Sequence, residues 1–217
     1  MAARVAPLPA SETDLAPASP LQRIINGIRS IFGTSRTVEA NLSEVGLNEE
    51  EIEELRMVST FDDRSLRRLC ARFLLLDREA KRCIHVDDIL SMPEFQRCPF
   101  RSRLRLLFAS SLKSWQVSYR EFVDLLAVFG PEANRDQKLK FLFRVYDFDD
   151  DGVLSPADLT AAIETVVEDI CDSAVVGRVV DKIFHECDSE GKGYITLKHF
   201  REALGESDVS LRVKLSL

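Results

Sequence analysis

The stretch Asp147-Phe-Asp-Asp-Asp-Gly-Val-Leu-Ser-Pro-Ala-Asp158 constrains the fold of this chain more than any other. A hard divalent cation needs six or seven oxygens at ~2.3–2.6 Å for calcium, and a twelve-residue loop supplies them from alternate positions. Asp147, Asp149 and Asp151 fill the first, third and fifth positions, and Val153 offers its backbone carbonyl at the seventh. Ser155 contributes at the ninth, directly or through water, and Asp158 closes the ring at the twelfth. Gly152 stands at the sixth, where the chain must turn with φ > 0 and a side chain is costly. Apolar helical patterns end at Val145 and resume near Leu159. A solvated acidic turn would need neither the glycine nor the spacing nor the flanking helices. One metal site with ligands Asp147, Asp149, Asp151, Val153, Ser155 and Asp158 is therefore expected, holding Ca2+ or Mg2+. The usual closing glutamate gives two oxygens, whereas the shorter Asp158 gives one, which shifts the preference from calcium toward magnesium. Asp150, at a non-ligating position, is expected only to deepen the local field.

The same plan recurs along the chain. Single β-forming residues, Ile84, Val117, Leu154 and Ile195, sit in short polar loops 33, 37 and 41 residues apart. Helical patterns flank each one, at 62–76, 99–108, 119–129, 135–146, 156–170, 173–187 and 197–204. Asn48 before Glu49, Glu50 and Glu51 marks a further helix start, because the side-chain oxygen and the acidic turn satisfy the free amides. The pattern predicts an all-α fold of four EF-hand helix-loop-helix repeats in two paired lobes, with short two-residue β contacts between paired loops. The 49–130 lobe would carry hands one and two, and the 131–205 lobe hands three and four.

The remaining hands are degenerate. In Asp77 to Asp88, Lys81 and Arg82 replace a ligand and the glycine. Ser110 to Glu121 keeps only its closing Glu121 and places Trp115 at the glycine position, where ordinary packing is favoured over a partner anchor. Asp188 to His199 keeps Gly193 and Ile195 but has Lys192 at the fifth position and His199 at the twelfth. An ammonium in the cage and no closing carboxylate should abolish calcium binding, leaving a scaffold loop that pairs through Ile195 with Leu154. His199 as a transition-metal ligand is the weaker reading.

Outside the repeats, residues 1–20 hold four of the eight prolines among Ala and Ser, and 1–48 is expected to be a disordered extension with linker at 34–48. Within it Leu21, Ile24, Ile25, Ile28, Ile31 and Phe32 predict a short amphipathic helix over 21–32. The tail, 206–217, carries Val209, Leu211, Val213, Leu215 and Leu217 and is expected to cover an apolar groove. A net charge of −7 argues against nucleic acid. The five cysteines form no CxxC pair and read as reduced, mostly buried thiols. No glycine-rich phosphate loop, secretory signal or membrane-spanning run is present, which predicts a cytoplasmic protein reaching membranes through a partner. His85, His185 and His199 stand beside no recognisable nucleophile, so no enzyme is expected.

From about residue 52 onward the chain resembles the calcium- and integrin-binding protein family, within the calcineurin B-like group of four-EF-hand proteins. The resemblance rests on Tyr-Asp-Phe-Asp-Asp-Asp-Gly (146–152) with Asp158 closing the loop, and on Ile-Leu-Ser-Met-Pro-Glu-Phe (89–95) followed by Cys-Pro-Phe (98–100). Val-Ser-Tyr-Arg-Glu-Phe-Val-Asp-Leu-Leu-Ala-Val-Phe (117–129) and the terminal Val-Ser-Leu-Arg-Val-Lys-Leu add to it. It implies a two-lobed regulator whose third and fourth hands bind metal and whose apolar groove takes an amphipathic helix from integrin tails, kinases or membrane-protein loops. Calcineurin B instead grips a phosphatase catalytic subunit. The chain departs in its fourth hand, and in Ala2, which stands where N-myristoylation requires glycine and excludes that anchor. The expected function is a calcium- or magnesium-binding regulatory protein that holds a target's amphipathic helix. The alternative is a calcineurin B-like regulatory subunit of a phosphatase, or a constitutive structural subunit of a membrane-protein complex.

Overall fold

The computed structural model describes residues 39–204, apart from 97, 113, 131–132, 168–171 and 189. The expected 21–32 helix, the tail 206–217 and Cys171 lie outside the described residues. Ahead of the first hand the structure corrects the expected linker. A 3-10 helix, Leu42–Val45, is closed at its start by a capping box of Asn41 and Glu44 and at its end by Gly46 with φ 88. Leu42 and Val45 are buried in the main core, and the Ala40 amide donates to the Arg67 carbonyl at 3.2 Å. Ordered packing thus begins before residue 48, through an element too short to show helical periodicity.

Among the described residues ten α-helices follow. The first hand comprises α1 (Glu49–Val58), α2 (Asp63–Leu76), α3 (Val86–Leu90) and α4 (Pro93–Gln96). The second has α5 (Arg101–Ser110) and α6 (Tyr119–Ala127), the third α7 (Arg135–Tyr146) and α8 (Pro156–Val167), and the fourth α9 (Ser173–Cys187) and α10 (Leu197–Ala203). Capping boxes set the starts of α1 (Asn48 and Glu51), α6 (Ser118 and Glu121) and α7 (Asn134 and Gln137), satisfying amides that a helix leaves free. The two shortest helices, α3 and α4, were not apparent in the sequence. His85 caps α3 through Nδ1, which accepts from the Asp87 amide at 3.2 Å.

The loops pair as the β-forming residues predict. Strands β1 (Cys83–His85) and β2 (Gln116–Ser118) are antiparallel with Ile84 opposite Val117. Leu154 and Ile195 form the equivalent bridge by exchanging amide-carbonyl hydrogen bonds of 2.8 and 2.9 Å. Loops one, three and four also share one backbone form. Their fourth and sixth positions are left-handed: Ala80 and Arg82, Asp150 and Gly152, Gly191 and Gly193. The position-one carboxylate stabilises this turn. Asp77 accepts from the amides of Lys81 and Arg82, Asp147 from those of Asp151 and Gly152, and Asp188 from those of Lys192 and Gly193.

The lobes are unequally filled. Phe73, Phe95, Phe108, Phe122 and Tyr119 pack edge to face at 5.5–6.0 Å in the first lobe, and the buried Tyr119 hydroxyl donates to the Leu66 carbonyl at 2.6 Å. Each such ring contributes ~2–3 kcal/mol on burial. This core crosses the expected boundary at residue 130 to include Val145 and Ala162. The second core is small: Phe143, Leu154, Leu159, Val176, Val180 and Ile195. Cys70, Cys83, Cys98 and Cys187 are free thiols, and burial pushes Cys70 up to about 12 and Cys98 up to about 11.

Ala80 is exposed yet held at φ 53, a conformation that disfavours any side chain. Ala80→Gly should stabilise the protein by about 0.5–1 kcal/mol in urea denaturation, the reverse of the usual effect of introducing glycine. A loss of stability would show that loop one is not strained at that residue.

Candidate metal centre

The third loop emerges from the C-terminus of α7. Asp147 is its C-cap and is only 4% exposed, while Asp149 and Asp151 are exposed. Carboxylate oxygens of these three residues lie within 4.8 Å of one another, close enough to share one ion. Within the loop Asp147 accepts from the amides of Asp151 and Gly152 at 3.1 and 3.0 Å, and Asp151 from the Val153 amide at 2.9 Å. Gly152, at φ 86, supplies the sharp turn with nothing near the place a side chain would occupy. The hard-oxygen donors, the turn and the spacing suit a divalent ion of the calcium or magnesium class.

The other three expected ligands are placed differently. Asp158 is 3% exposed, and its carboxylate lies outside the three-residue cluster, engaged with the loop's own backbone. Oδ1 accepts from the Phe148 amide at 2.9 Å, and Oδ2 from the Ser155 amide and hydroxyl at 2.9 and 2.5 Å. Ser155 and Asp158 thereby cap α8 reciprocally, the Asp158 amide donating back to Ser155 Oγ at 3.2 Å. Val153 is half-buried, next to the bridging Leu154.

Protonation follows from these surroundings. Burial raises the Asp147 carboxyl above the usual aspartate range against the pull of the Gly152 and Asp151 amides, with the Asp151 and Asp150 charges adding to the rise. Burial also opposes ionisation of Asp158, but hydrogen bonds from Ser155, Phe148 and Asp149 outweigh it and hold that carboxyl below the usual range. A bound cation would relieve the first group and leave the second ionised.

Asp150 has a role the sequence reading missed. Its carboxylate accepts from Nη1 and Nη2 of Arg103 at 3.2 and 2.6 Å, an ion pair that lowers the Asp150 carboxyl. Arg103 is 5% exposed although it belongs to a helix that also carries Arg101 and Arg105. Arginine in such a helix normally faces solvent, so spacing alone gave no signal of this inward turn.

The other hands fold without the donor set. In loop one Lys81 pairs with the neighbouring Glu79, and Arg82 stands left-handed in place of glycine. In loop two Trp115 is 41% exposed, stacked on His85 at 5.9 Å and beneath the Arg105 guanidinium at 4.4 Å, an intermediate between packing and free display. In loop four the Lys192 ammonium pairs with Glu190, and His199 is buried with Nε2 3.9 Å from Glu190 Oε1.

Residues 136–204 match the family model of an EF-hand domain pair. The type 2 calcineurin B of Dictyostelium discoideum is 32% identical over 176 residues, covering 81% of this chain and 96% of that protein. The calcineurin B of Naegleria gruberi is 29% identical over 171 residues, with 79% and 96% covered. That of Yarrowia lipolytica is 31% identical over 159 residues, with 73% and 91% covered.

The bonds around Asp158 predict a role that needs no metal. In the presence of chelator, Asp158→Ala should cost about 1–2 kcal/mol of unfolding free energy, since the Phe148 and Ser155 amides lose their acceptor. Unchanged stability in chelator would show that the cap contributes nothing.

Proposed function

Since this chain belongs to the calcineurin B-like family of EF-hand calcium-binding proteins, we propose that its one working loop, 147–158, controls an apolar cleft that holds an amphipathic helix of a target protein. It is a calcium-binding regulatory protein, and its action is on a protein partner rather than through chemistry of its own. One observation carries the reading. Leu154 and Ile195, whose backbones join loops three and four, also line a cleft of about 340 Å³ with Tyr146, Leu159, Ile163 and Phe200. The residues that set the loop pairing are the wall of the cleft, so an ion that tightens loop three acts on the binding surface directly.

Among the described residues the cleft is open, because few of those in the C-terminal lobe are buried in a core of their own. Ile183 continues from it along α9 to Val179 and Val175, one turn apart each, and those valines are 43% and 39% exposed. An apolar strip at i, i+4 and i+8 suits the apolar face of a helix laid alongside. The net charge of −7 favours a basic partner helix. No described helix is long and apolar enough to cross a membrane, and we place the protein in the cytoplasm, at membranes only through its partner.

The constitutive reading draws on the metal-silent hands, whose loops hold their shape through their own hydrogen bonds. A single experiment separates the two. Titration of the full chain with calcium by calorimetry should give one ion per chain, abolished by Asp147→Ala. A synthetic helix of about 18 residues, with leucine at i, i+3, i+4 and i+7 and lysine elsewhere, should bind about tenfold more tightly in calcium than in chelator, and Ile183→Glu should weaken it about tenfold. Equal affinity in calcium and chelator would identify a constitutive subunit; indifference to Ile183→Glu would move the partner off the cleft.

A further inference from the structure

The guanidinium of Arg103 joins the two lobes at the metal loop. It projects from α5, whose Leu104, Leu107 and Phe108 are buried in the first lobe's core, and reaches the far end of α7. There Nε and Nη2 donate to the Arg144 carbonyl at 3.3 and 2.9 Å, Nη2 also to the Asp147 carbonyl, and Nη1 to the Phe148 carbonyl at 3.4 Å. The Arg144 carbonyl is one that a helix leaves unsatisfied at its C-terminus, the negative end of its dipole, Asp147 is the C-cap, and Phe148 follows it in the loop. Nη1 and Nη2 also donate to the Asp150 carboxylate, Nη2 sharing its two hydrogens among three acceptors. A planar fork of five donors can serve three carbonyls and a carboxylate together, which a lysine ammonium cannot.

We propose that Arg103 is a positioning residue for the metal loop, and that Asp150 acts on metal binding through Arg103 rather than by its charge on the ion. Asp150 stands left-handed, φ 58, between the ligating positions Asp149 and Asp151. A non-glycine residue resists that conformation, and the Arg103 contact adds to the Asp147 hydrogen bonds that close the turn. With α7's last turn and the fourth loop position both fixed from the opposite lobe, the cage is shaped before an ion arrives, and less reorganisation opposes binding. The pairing also neutralises Arg103, so a buried cation beside the cage does not repel the metal. Asp150's side chain is 59% exposed against 4% for Arg103, so a buried guanidinium meets a carboxylate at the loop surface. By reciprocity, metal in the third hand strengthens the junction with the metal-silent lobe.

The inference rests on the metal reading of 147–158, and one set of titrations tests both. Calcium affinity is measured by calorimetry, and calcium release by stopped-flow mixing with chelator, for the full chain and for Arg103→Met, Asp150→Asn and the double variant, each shown folded by circular dichroism. Arg103→Met should weaken calcium about tenfold, chiefly through faster release. Asp150→Asn should weaken it roughly threefold alone and have no further effect in the Arg103→Met background. A folded Arg103→Met with unchanged affinity overturns the proposal, as does an Asp150→Asn loss of equal size in both backgrounds. Should Arg103→Met fail to fold, Arg103→Lys takes its place, with an intermediate loss expected and unchanged affinity again contrary. Absence of calcium binding in the unaltered chain overturns the metal reading, and this proposal with it.

Discussion

A carboxylate at the first loop position, accepting from the amides of positions five and six, sets the shape from which the other features follow. It bends the chain back on itself and lets positions four and six stand left-handed in loops one, three and four. That bend brings an apolar residue at position eight alongside its counterpart in the paired loop, joining Ile84 to Val117 and Leu154 to Ile195. Because the acceptor is a side chain rather than an ion, the loop survives loss of the metal ligands. Loop one shows how far this extends: it keeps the turn without either glycine, at the cost of strain on Ala80 and Arg82.

The two lobes divide the work through packing. The first is filled by interlocking aromatic rings and extends its core into Val145 and Ala162 of the second. Its loops are closed by ion pairs and hydrogen bonds, with Arg105 over Trp115 and paired to Asp87 at 2.6 Å. Such exposed pairs add little stability, so aromatic burial holds this lobe together. Among the described residues the second lobe leaves its apolar side chains around an open cleft, lined in part by Leu154 of the third loop. A closed lobe thus serves as a rigid base for an open one, with Arg103 as the polar contact that ties base to loop.

Most of this was legible in the sequence, because helix caps, apolar periodicity and loop spacing are local. Asn48 marked a helix start that the structure places at the adjacent residue, and the pairing of Leu154 with Ile195 followed from their shared loop position. What was not legible depended on distance in the chain. The 3-10 helix at Leu42–Val45 has two apolar residues and becomes an element only by packing into the core, where a linker was expected. Arg103 and Asp150 are 47 residues apart, and nothing in the order of residues says that a charged side chain on a basic helix turns inward to meet a loop. The closeness of Asp147, Asp149 and Asp151 followed from their spacing, whereas the engagement of Asp158 as a helix cap required the local geometry.

On this account one metal loop organises its metal-silent partner through the Leu154–Ile195 bridge and so shapes the cleft. Amide hydrogen exchange, followed residue by residue with and without calcium, is the decisive measurement. Calcium should slow exchange at Leu154 and Ile195 together, and also at Lys192 and Gly193, whose amides close the fourth loop on Asp188. Slowing confined to the third loop, with the fourth loop's amides exchanging at their calcium-free rates, would contradict it.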